Sequence, residues 1–519
     1  MSRQIALSGV VVLSATAYCA WWATLPVASS CPRVRDDAYY YFEISRNVAQ
    51  GRGVTFDGLH PTNGFHPLWM VMLVPIYCAF SGLEEGFRAV LLLEAACHGG
   101  ATLLLYLWLR RVAGHGPAVL GAVVYQMPVL GLETRTGMES ALTSLLLLGA
   151  LFYREQLGQN PNLRQWWLLG ALLGLTVLAR LDAVLMVFAL AALEAVRRRG
   201  RGLTVLAPIL VPTVALGAGY AAWNVGCYGH VSTVSSAVKS SFPRVQGSWE
   251  ILLDEQIMAL TAVVLVIWVL ADRFVRRRGW AQYGVSVYAL WGGVILHGVH
   301  SVLFIKQGAL GNWHFVMYVP LLVAAFCVGW RVVFGWAGTL HRTLGRALQS
   351  AVATALATAV VVATWQDARL TLQPDRWFVR ESHRAAQWCS DHLPATARIG
   401  MTDCGAMGYF CEQPVVNLDG YANSFEYLQD YLKPGRVPQY LASEGITYFA
   451  QHKLRIEKSP ESIGRRVIEG EPYAADSVRV LGGRSAHLLT SRNEVYHGRP
   501  YSDGPTRGVF AIWDLRRAE

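Results

Sequence analysis

The segment Arg35 to Trp69, RDDAYYYFEISRNVAQGRGVTFDGLHPTNGFHPLW, governs how the rest of the chain is read. It follows one apolar run, sets the adjacent carboxylates Asp36 and Asp37 directly after it, and gathers aromatics, glycines, His60 and His66 into one loop. Neighbouring carboxylates repel each other, so one pKa tends to rise, and a nearby metal or cation relieves the repulsion. That pattern suits a general base or a metal ligand just beyond a membrane. The plainer reading is a solvated acidic turn in which Asp36 or Asp37 caps the following helix.

The chain has 519 residues, 53% hydrophobic and 15% charged, at a mean hydropathy of +0.31. Its charges sit between long apolar runs, the mark of an α-helical polytopic membrane protein. In a soluble protein the formal charge of +10 would suggest nucleic acid. Here Lys and Arg cluster at the ends of apolar segments, which the positive-inside rule explains without a nucleic-acid partner.

Ile5 to Leu25 reads as an uncleaved first span, amino terminus inside, rather than a signal peptide cleaved near Ala28 to Cys31. Pro67 to Gly82 is apolar but only about 24 Å long as a helix, marginal for a crossing. Trp166 to Val196 is longer than the roughly 20 residues a span needs and is interrupted by Arg180 and Asp182. The two ambiguities are coupled, because either joint choice gives eleven crossings and an outside carboxyl terminus. An interfacial helix at 67–82 with a hairpin at 166–196 puts Arg110, Arg111, Arg154 and Arg164 inside, with Arg197 to Arg201, Arg276 to Arg278 and Arg342; the reverse puts the first four outside. Positive-inside bias selects the first arrangement. The spans then run roughly 5–25, 87–109, 117–132, 138–153, 165–179, 183–196, 203–223, 256–272, 281–303, 314–333 and 349–366.

This topology, chosen on Arg positions alone, brings Asp36, Asp37, His60, His66, Glu133, Arg135, Glu139, Arg180, Asp182, Lys239, Lys306 and His314 to one membrane face. At mid-bilayer Arg180 and Asp182 would each cost about 2.5 to 3.5 kcal/mol, whereas a hairpin apex lies near water. A local ion pair capping the hairpin is the structural alternative. Glu94 and His98, one helical turn apart, read as polar packing inside the bundle and not as site residues. Lys239 in the loop Asn224 to Glu250 could neutralise a phosphate or snorkel to headgroups. His297, His300, Lys306, Asn312, Trp313 and His314 flank the next outer loop without tight metal-ligand spacing.

Beyond Trp365 the charge density becomes ordinary, and 367–519, about 150 residues, is large enough to bury a core as an outer soluble domain. Phe378 to Leu393 reads as an amphipathic helix, Arg398 to Thr402 and Val415 to Leu418 as strands, Phe425 to Leu432 and Val437 to Glu444 as helices, and Ile446 to Ala450 as a strand, a small α/β domain. Of nine cysteines, Cys389, Cys404 and Cys411 fall in it. The simplest disulfide joins Cys404 to Cys411 across the stretch TDCGAMGYFCEQP, which reads as a turn, and buried free thiols are the alternative.

RDDAYYYFEISRNVAQGRGVTFDG with TNGFHPLW, then TGMESAL, GLTVLARLDAVL and the distal VVNLDGYANSFEYL, resembles polytopic glycosyltransferases of the GT-C fold, relatives of protein O-mannosyltransferases, aminoarabinose transferases and arabinofuranosyltransferases. The resemblance covers the membrane half, 1–366, with a first outer loop at 30–66, and more faintly the outer domain. It implies a bacterial multi-pass plasma-membrane enzyme that transfers a hexose or pentose from a polyprenyl-phosphate carrier to a cell-envelope glycan, lipid or protein outside the cytoplasm. The family's general base maps onto Asp36 or Asp37, with the first of the pair expected. Arg180 and Lys239 are the donor-phosphate candidates, and His60, His66, Glu139 and Asp182 the orienting ones. Because the family includes metal-dependent members, a divalent ion on Asp36, Asp37 and Glu139 stays open as a cofactor. Asn417 and Asp419 either reach down to the site or close a strand turn, the second being the preferred reading. Leu181 and Asp182 depart from the family's usual proline-glutamate after the apex cation. A transporter or flippase of a lipid-linked saccharide is the alternative, opposed by the lack of an internal repeat of apolar segments; a noncatalytic receptor is a third.

Overall fold

The computed structural model describes residues 2–131, 136–158, 161–198, 202–247, 249–251, 256–277, 284–306, 309–340, 342–374, 377–456, 489, 491–503 and 506–517. The helical half runs α1 (Ser2–Trp21), α2 (Val27–Ser30), α3 (Asp36–Ala49), α4 (Pro67–Ala79), α5 (Leu83–Ala113), α6 (His115–Val124), α7 (Pro128–Gly131), α8 (Ser140–Gln156), α9 (Leu163–Ala179), α10 (Val184–Arg197), α11 (Gly202–Tyr228), α12 (Val234–Lys239), α13 (Gln256–Arg277), α14 (Val285–Phe304), α15 (Tyr318–Leu340) and α16 (Arg342–Thr371). Among the described residues five helices are long and apolar enough to cross a membrane: α5, Thr204–Tyr228 of α11, α14, Tyr318–Trp336 of α15, and α16. α4, α6, α9 and Gln256–Leu270 of α13 are shorter apolar helices.

The break expected at Arg180 is present and makes a hairpin. α9 opens on a capping box between Asn162 and Gln165 and stops at Arg180, where a 3-10 turn, Leu181–Ala183, turns the chain into α10. Arg198, just past α10, lies 5.0 Å over the ring of Trp166 at the start of α9. In one continuous rod the two would be about 48 Å apart. The same end of the bundle is basic. Arg154 and Arg198 both bond the buried Glu194 carboxylate, and Arg111 donates to the Glu155 carbonyl.

α9 lies close against α11 because Gly170 and Gly174, one turn apart, present no side chain there. A Cβ at Gly170 would sit 2.1 Å from the Pro208 carbonyl oxygen. That carbonyl has no helical donor, since Pro212 four residues on lacks an N–H, and a small residue lets the neighbouring backbone approach it. Glu94 and His98 are internal packing, as expected: Glu94 accepts from Gly137 N at 2.7 Å and His98 bonds Gln126 at 2.8 Å.

The C-terminal domain comprises α17 (Phe378–His392), β1 (Ile399–Met401), α18 (Gly405–Phe410), β2 (Val415–Asn417), α19 (Val437–Ser443), β3 (Tyr448–Ile456), β4 (Glu494–His497), β5 (Tyr501–Asp503) and β6 (Thr506–Asp514). The sheet order is β2-β1-β3-β6-β4, with β5 also on β6; β1 pairs in parallel with β2 and β3, and β6 pairs antiparallel with β3, β4 and β5. The expected alternation holds as far as Ala450, and the antiparallel return through β6 was not foreseen. Phe425 to Leu432 narrows to a π-helical turn, Tyr427–Leu432. Gly405–Phe410 within TDCGAMGYFCEQP is a helix rather than a turn, and this overturns the Cys404 to Cys411 bridge: the two cysteines are not bonded to each other. They stand at opposite ends of α18, about 10 Å apart along its axis, beyond the reach of a disulfide.

One apolar cluster joins the two halves. Tyr39, Phe42, Trp69 and Phe87 pack in the same core as Ala386, Ile399, Met407, Tyr409 and Phe510. The C-terminal domain therefore holds the first loop in place.

Candidate active site

Successive residues of a helix point about 100° apart, so the two aspartates opening α3 face different neighbours. Asp36 is 6% exposed and turns toward the C-terminal domain. Its two carboxylate oxygens accept Gly405 N and Ala406 N, each at 2.8 Å, and so cap the start of α18. Only glycine fits at 405, because a Cβ there would lie 2.0 Å from the Asp36 carbonyl oxygen. One turn on, the Tyr40 hydroxyl accepts Cys404 N at 3.2 Å and Asn417 Nδ2 at 3.0 Å. This face of α3 is a docking face.

Asp37 and, one turn on, Tyr41 line a cavity of about 60 Å³ together with His66, Glu139, Arg180, Lys239, His314 and Tyr421. Lys239, the last residue of α12, places its ammonium 3.9 Å from the Asp37 carboxylate and 4.9 Å over the Tyr421 ring. Arg180, 1% exposed at the hairpin apex, donates to Glu139 Oε1 at 2.6 Å and pairs through Nε with Asp182 at 2.9 Å. Glu139 is fully buried, and its Oε2 has no hydrogen-bond partner among the described residues. The Tyr41 hydroxyl accepts His66 N at 3.2 Å. Leu181 N donates to His66 Nδ1 at 3.3 Å, leaving the proton of a neutral imidazole on Nε2, 3.7 Å from Glu139.

Burial pushes the Asp37 pKa up; Lys239 opposes the rise and Glu139 adds to it. The result is a carboxylate poised to accept a proton. Burial also lowers the His66 pKa, with Glu139 opposing and Arg180 reinforcing. His314 falls further, from burial first and then the Arg180 and Lys239 charges. Both imidazoles are therefore neutral, and the cations of the cavity are Arg180 and Lys239. Burial disfavours ionised Asp182, but Arg180 and His297 outweigh it and hold that pKa below the ordinary range.

The structure thus gathers Asp37, His66, Glu139, Arg180 and Lys239 around one cavity, with Asp182 outside its lining as the ion-pair partner of Arg180, and it leaves Asp36 and His60 out. His60 ties the first loop to the C-terminal domain, bonding Asp57 at 2.6 Å and Glu444 at 3.1 Å. Burial lowers its pKa but the two carboxylates outweigh that and raise it. Lys306 donates to the Val238 carbonyl, and Glu133 and Arg135 lie outside the described residues. Asn417 and Asp419 close a turn, accepting Gly420 N at 2.9 Å and Tyr421 N at 3.0 Å. That turn delivers Tyr421, which sequence reasoning missed although it lies inside the quoted VVNLDGYANSFEYL. Of the three residues left open for a metal, Asp36 gives both carboxylate oxygens to backbone N–H groups and Glu139 gives Oε1 to Arg180, while Glu139 Oε2 stays without a partner among the described residues. Among the described residues no three His, Cys, Asp or Glu side chains converge as a metal site.

Residues 66–223 match the family model of dolichyl-phosphate-mannose-protein mannosyltransferase, and residues 371–486 match a domain of unknown function (DUF8728). No curated protein sequence matches the chain. Among solved structures it is similar to ArnT from Cupriavidus metallidurans bound to undecaprenyl phosphate, at a TM-score of 0.57 and 13% identity over 98% of this chain and 97% of that one. The apo oligosaccharyltransferase of Archaeoglobus fulgidus also gives a TM-score of 0.57 at 13% identity, over 86% of this chain and 69% of that one. Apo ArnT from the same Cupriavidus gives 0.54 at 13% identity, over 91% and 93%. Likeness of this kind concerns the fold.

Proposed function

We propose that this chain, which has the GT-C fold of polytopic glycosyltransferases, transfers a sugar from a polyprenyl-phosphate carrier to a hydroxyl-bearing acceptor of the cell envelope. The observation that carries the reading is the pairing of one raised-pKa carboxylate, Asp37, with two cations, Lys239 and Arg180, around one buried cavity. The undecaprenyl phosphate bound to ArnT and the family model named for a dolichyl-phosphate sugar support the donor class. The acceptor hydroxyl oxygen forms a bond to the anomeric carbon while the bond from that carbon to the phosphate oxygen breaks. Asp37 takes the hydroxyl proton, and polyprenyl phosphate leaves with the bonding electrons. Lys239 and Arg180 stabilise the charge growing on that phosphate. Asp36 positions Asp37 by fixing the first turn of α3 to α18. Glu139 Oε2, buried and unpartnered, is placed to accept a hydrogen bond from a sugar hydroxyl.

The cavity and the C-terminal domain lie on the extracytoplasmic side in this reading, with eleven crossings and the Arg154, Arg197 and Arg198 end inside, as the positive-inside rule requires. The test is incubation of purified protein with a panel of radiolabelled polyprenyl-phosphate sugars and membrane extract. Label should move from one carrier to an acceptor in wild type and not in Asp37→Asn. Transfer that continues unchanged in Asp37→Asn, or label that crosses vesicle membranes without changing its carrier, would refute the assignment.

A further inference from the structure

Cys404 is bound into the α3 docking face, its thiol 3.4 Å from Asn417 Nδ2. Cys411 sits differently. It leaves α18 and enters a segment laid along the last turns of α17, where Glu412 N donates to Ser390 Oγ at 3.2 Å. Gln413 Nε2 donates to the carbonyls of Cys389 and Leu393, both at 3.2 Å, and the Cys411 thiol donates to Gln413 Oε1 at 3.2 Å. Gln413 thus links the Cys411 side chain to the Cys389 backbone and brings the two cysteines together, both as free thiols. Both are buried in the core shared by the two halves.

We propose that Cys389 and Cys411 are a disulfide site that ties α17 to the end of α18. It rests on the reading that the C-terminal domain is extracytoplasmic, where thiols meet oxidants. The two thiols lose two protons and two electrons and form one S–S bond. The electrons pass by thiol-disulfide exchange to a protein dithiol oxidant in its disulfide form, which leaves as two thiols. Contact with Cys411, and burial after it, push the Cys389 thiol up, so little thiolate exists in the finished fold. Exchange therefore takes place while the domain is folding, and the buried bond afterwards meets reductants only as the domain unfolds, as it does during a melt. The bond closes the segment 389–411, which contains β1 and α18. The start of α18 is where Asp36 docks, so the crosslink also steadies the helix that aims Asp37 into the cavity.

The test uses the full-length wild-type protein, denatured from fresh membranes in N-ethylmaleimide, digested without reduction and read by mass spectrometry. A linked peptide joining Cys389 to Cys411 is expected, with the remaining cysteines alkylated. Alkylation of both Cys389 and Cys411 before any reduction overturns the proposal. In parallel, Lys433→Cys, on an exposed turn of the same domain, is labelled in intact cells with a membrane-impermeant maleimide. An alkylated pair with position 433 labelled defeats the disulfide alone; an alkylated pair with position 433 protected shows that the extracytoplasmic placement has failed as well. As a second readout, dithiothreitol should lower the Tm of wild type by several degrees and leave the double variant Cys389→Ala/Cys411→Ala unmoved. A wild-type Tm insensitive to the reductant counts against the bond.

Discussion

Replacing each member of the aspartate pair by asparagine should separate catalysis from scaffolding. Asp37 faces the cavity beside Lys239 and has no backbone donor to satisfy, so Asp37→Asn keeps the shape and removes only the proton acceptor. General-base assistance contributes about 10² to 10⁴ in rate, or about 2.7 to 5.4 kcal/mol of barrier, so turnover should fall by that factor while donor affinity changes little. Asp36 answers two N–H groups with two oxygens, both at 2.8 Å. An asparagine offers one oxygen and one NH₂, so one buried backbone N–H then faces a donor, at a cost of about 1 to 3 kcal/mol. Asp36→Asn should thus lower the Tm in detergent yet keep transfer within about tenfold of wild type below the new transition. The assay is sugar transfer from the active polyprenyl-phosphate donor, with Tm measured on the same preparations. The reasoning fails if Asp36→Asn loses transfer by about a hundredfold at unchanged Tm while Asp37→Asn stays within tenfold.

The other variants test the surroundings. Lys239 holds the Asp37 pKa down, so Lys239→Ala should raise it and move the acid limb of the pH–rate profile to higher pH, besides weakening donor binding; an unmoved limb would break the proposed Asp37–Lys239 link. Arg180→Ala leaves the buried Glu139 without its cation and Asp182 with His297 alone and should cost about 3 to 5 kcal/mol of stability in addition to activity, read as a large fall in Tm. Gly405→Ala puts a methyl group against the Asp36 carbonyl and should destabilise by about 1 to 3 kcal/mol, whereas Gly435→Ala, with open space around its Cβ but a φ of +71°, should cost only backbone strain. Arg197→Cys, 57% exposed at the basic end, should resist an impermeant maleimide in intact cells, and labelling there would invert the proposed orientation.

How much was legible in the sequence differs between the fold and the site. Hydropathy and the Arg180–Asp182 interruption left an overlong span or a hairpin at α9–α10, and the positions of the arginines selected the hairpin. Helix and strand order in the outer domain as far as Ala450 followed from local periodicity. The α18 helix was misread as a turn because its glycines, Gly405 and Gly408, are turn residues in isolation. Both are required by contact instead: added Cβ atoms would strike the Asp36 carbonyl and the Phe56 ring.

The sequence by itself determined that the chain is a polytopic membrane protein with a distal α/β domain, and it singled out the first loop, the hairpin apex and Lys239 as candidates for the site. These properties depend on composition and on neighbours along the chain. Only the tertiary structure separated Asp36 from Asp37, because adjacent helical residues differ by about 100° in direction and nothing local says which direction faces a protein surface and which a cavity. In the same way it removed His60 from the site, brought Tyr421 into it, and placed Cys411 against Cys389 rather than Cys404. Each of these outcomes rests on contacts between segments far apart in sequence, for which the chain order carries no signal.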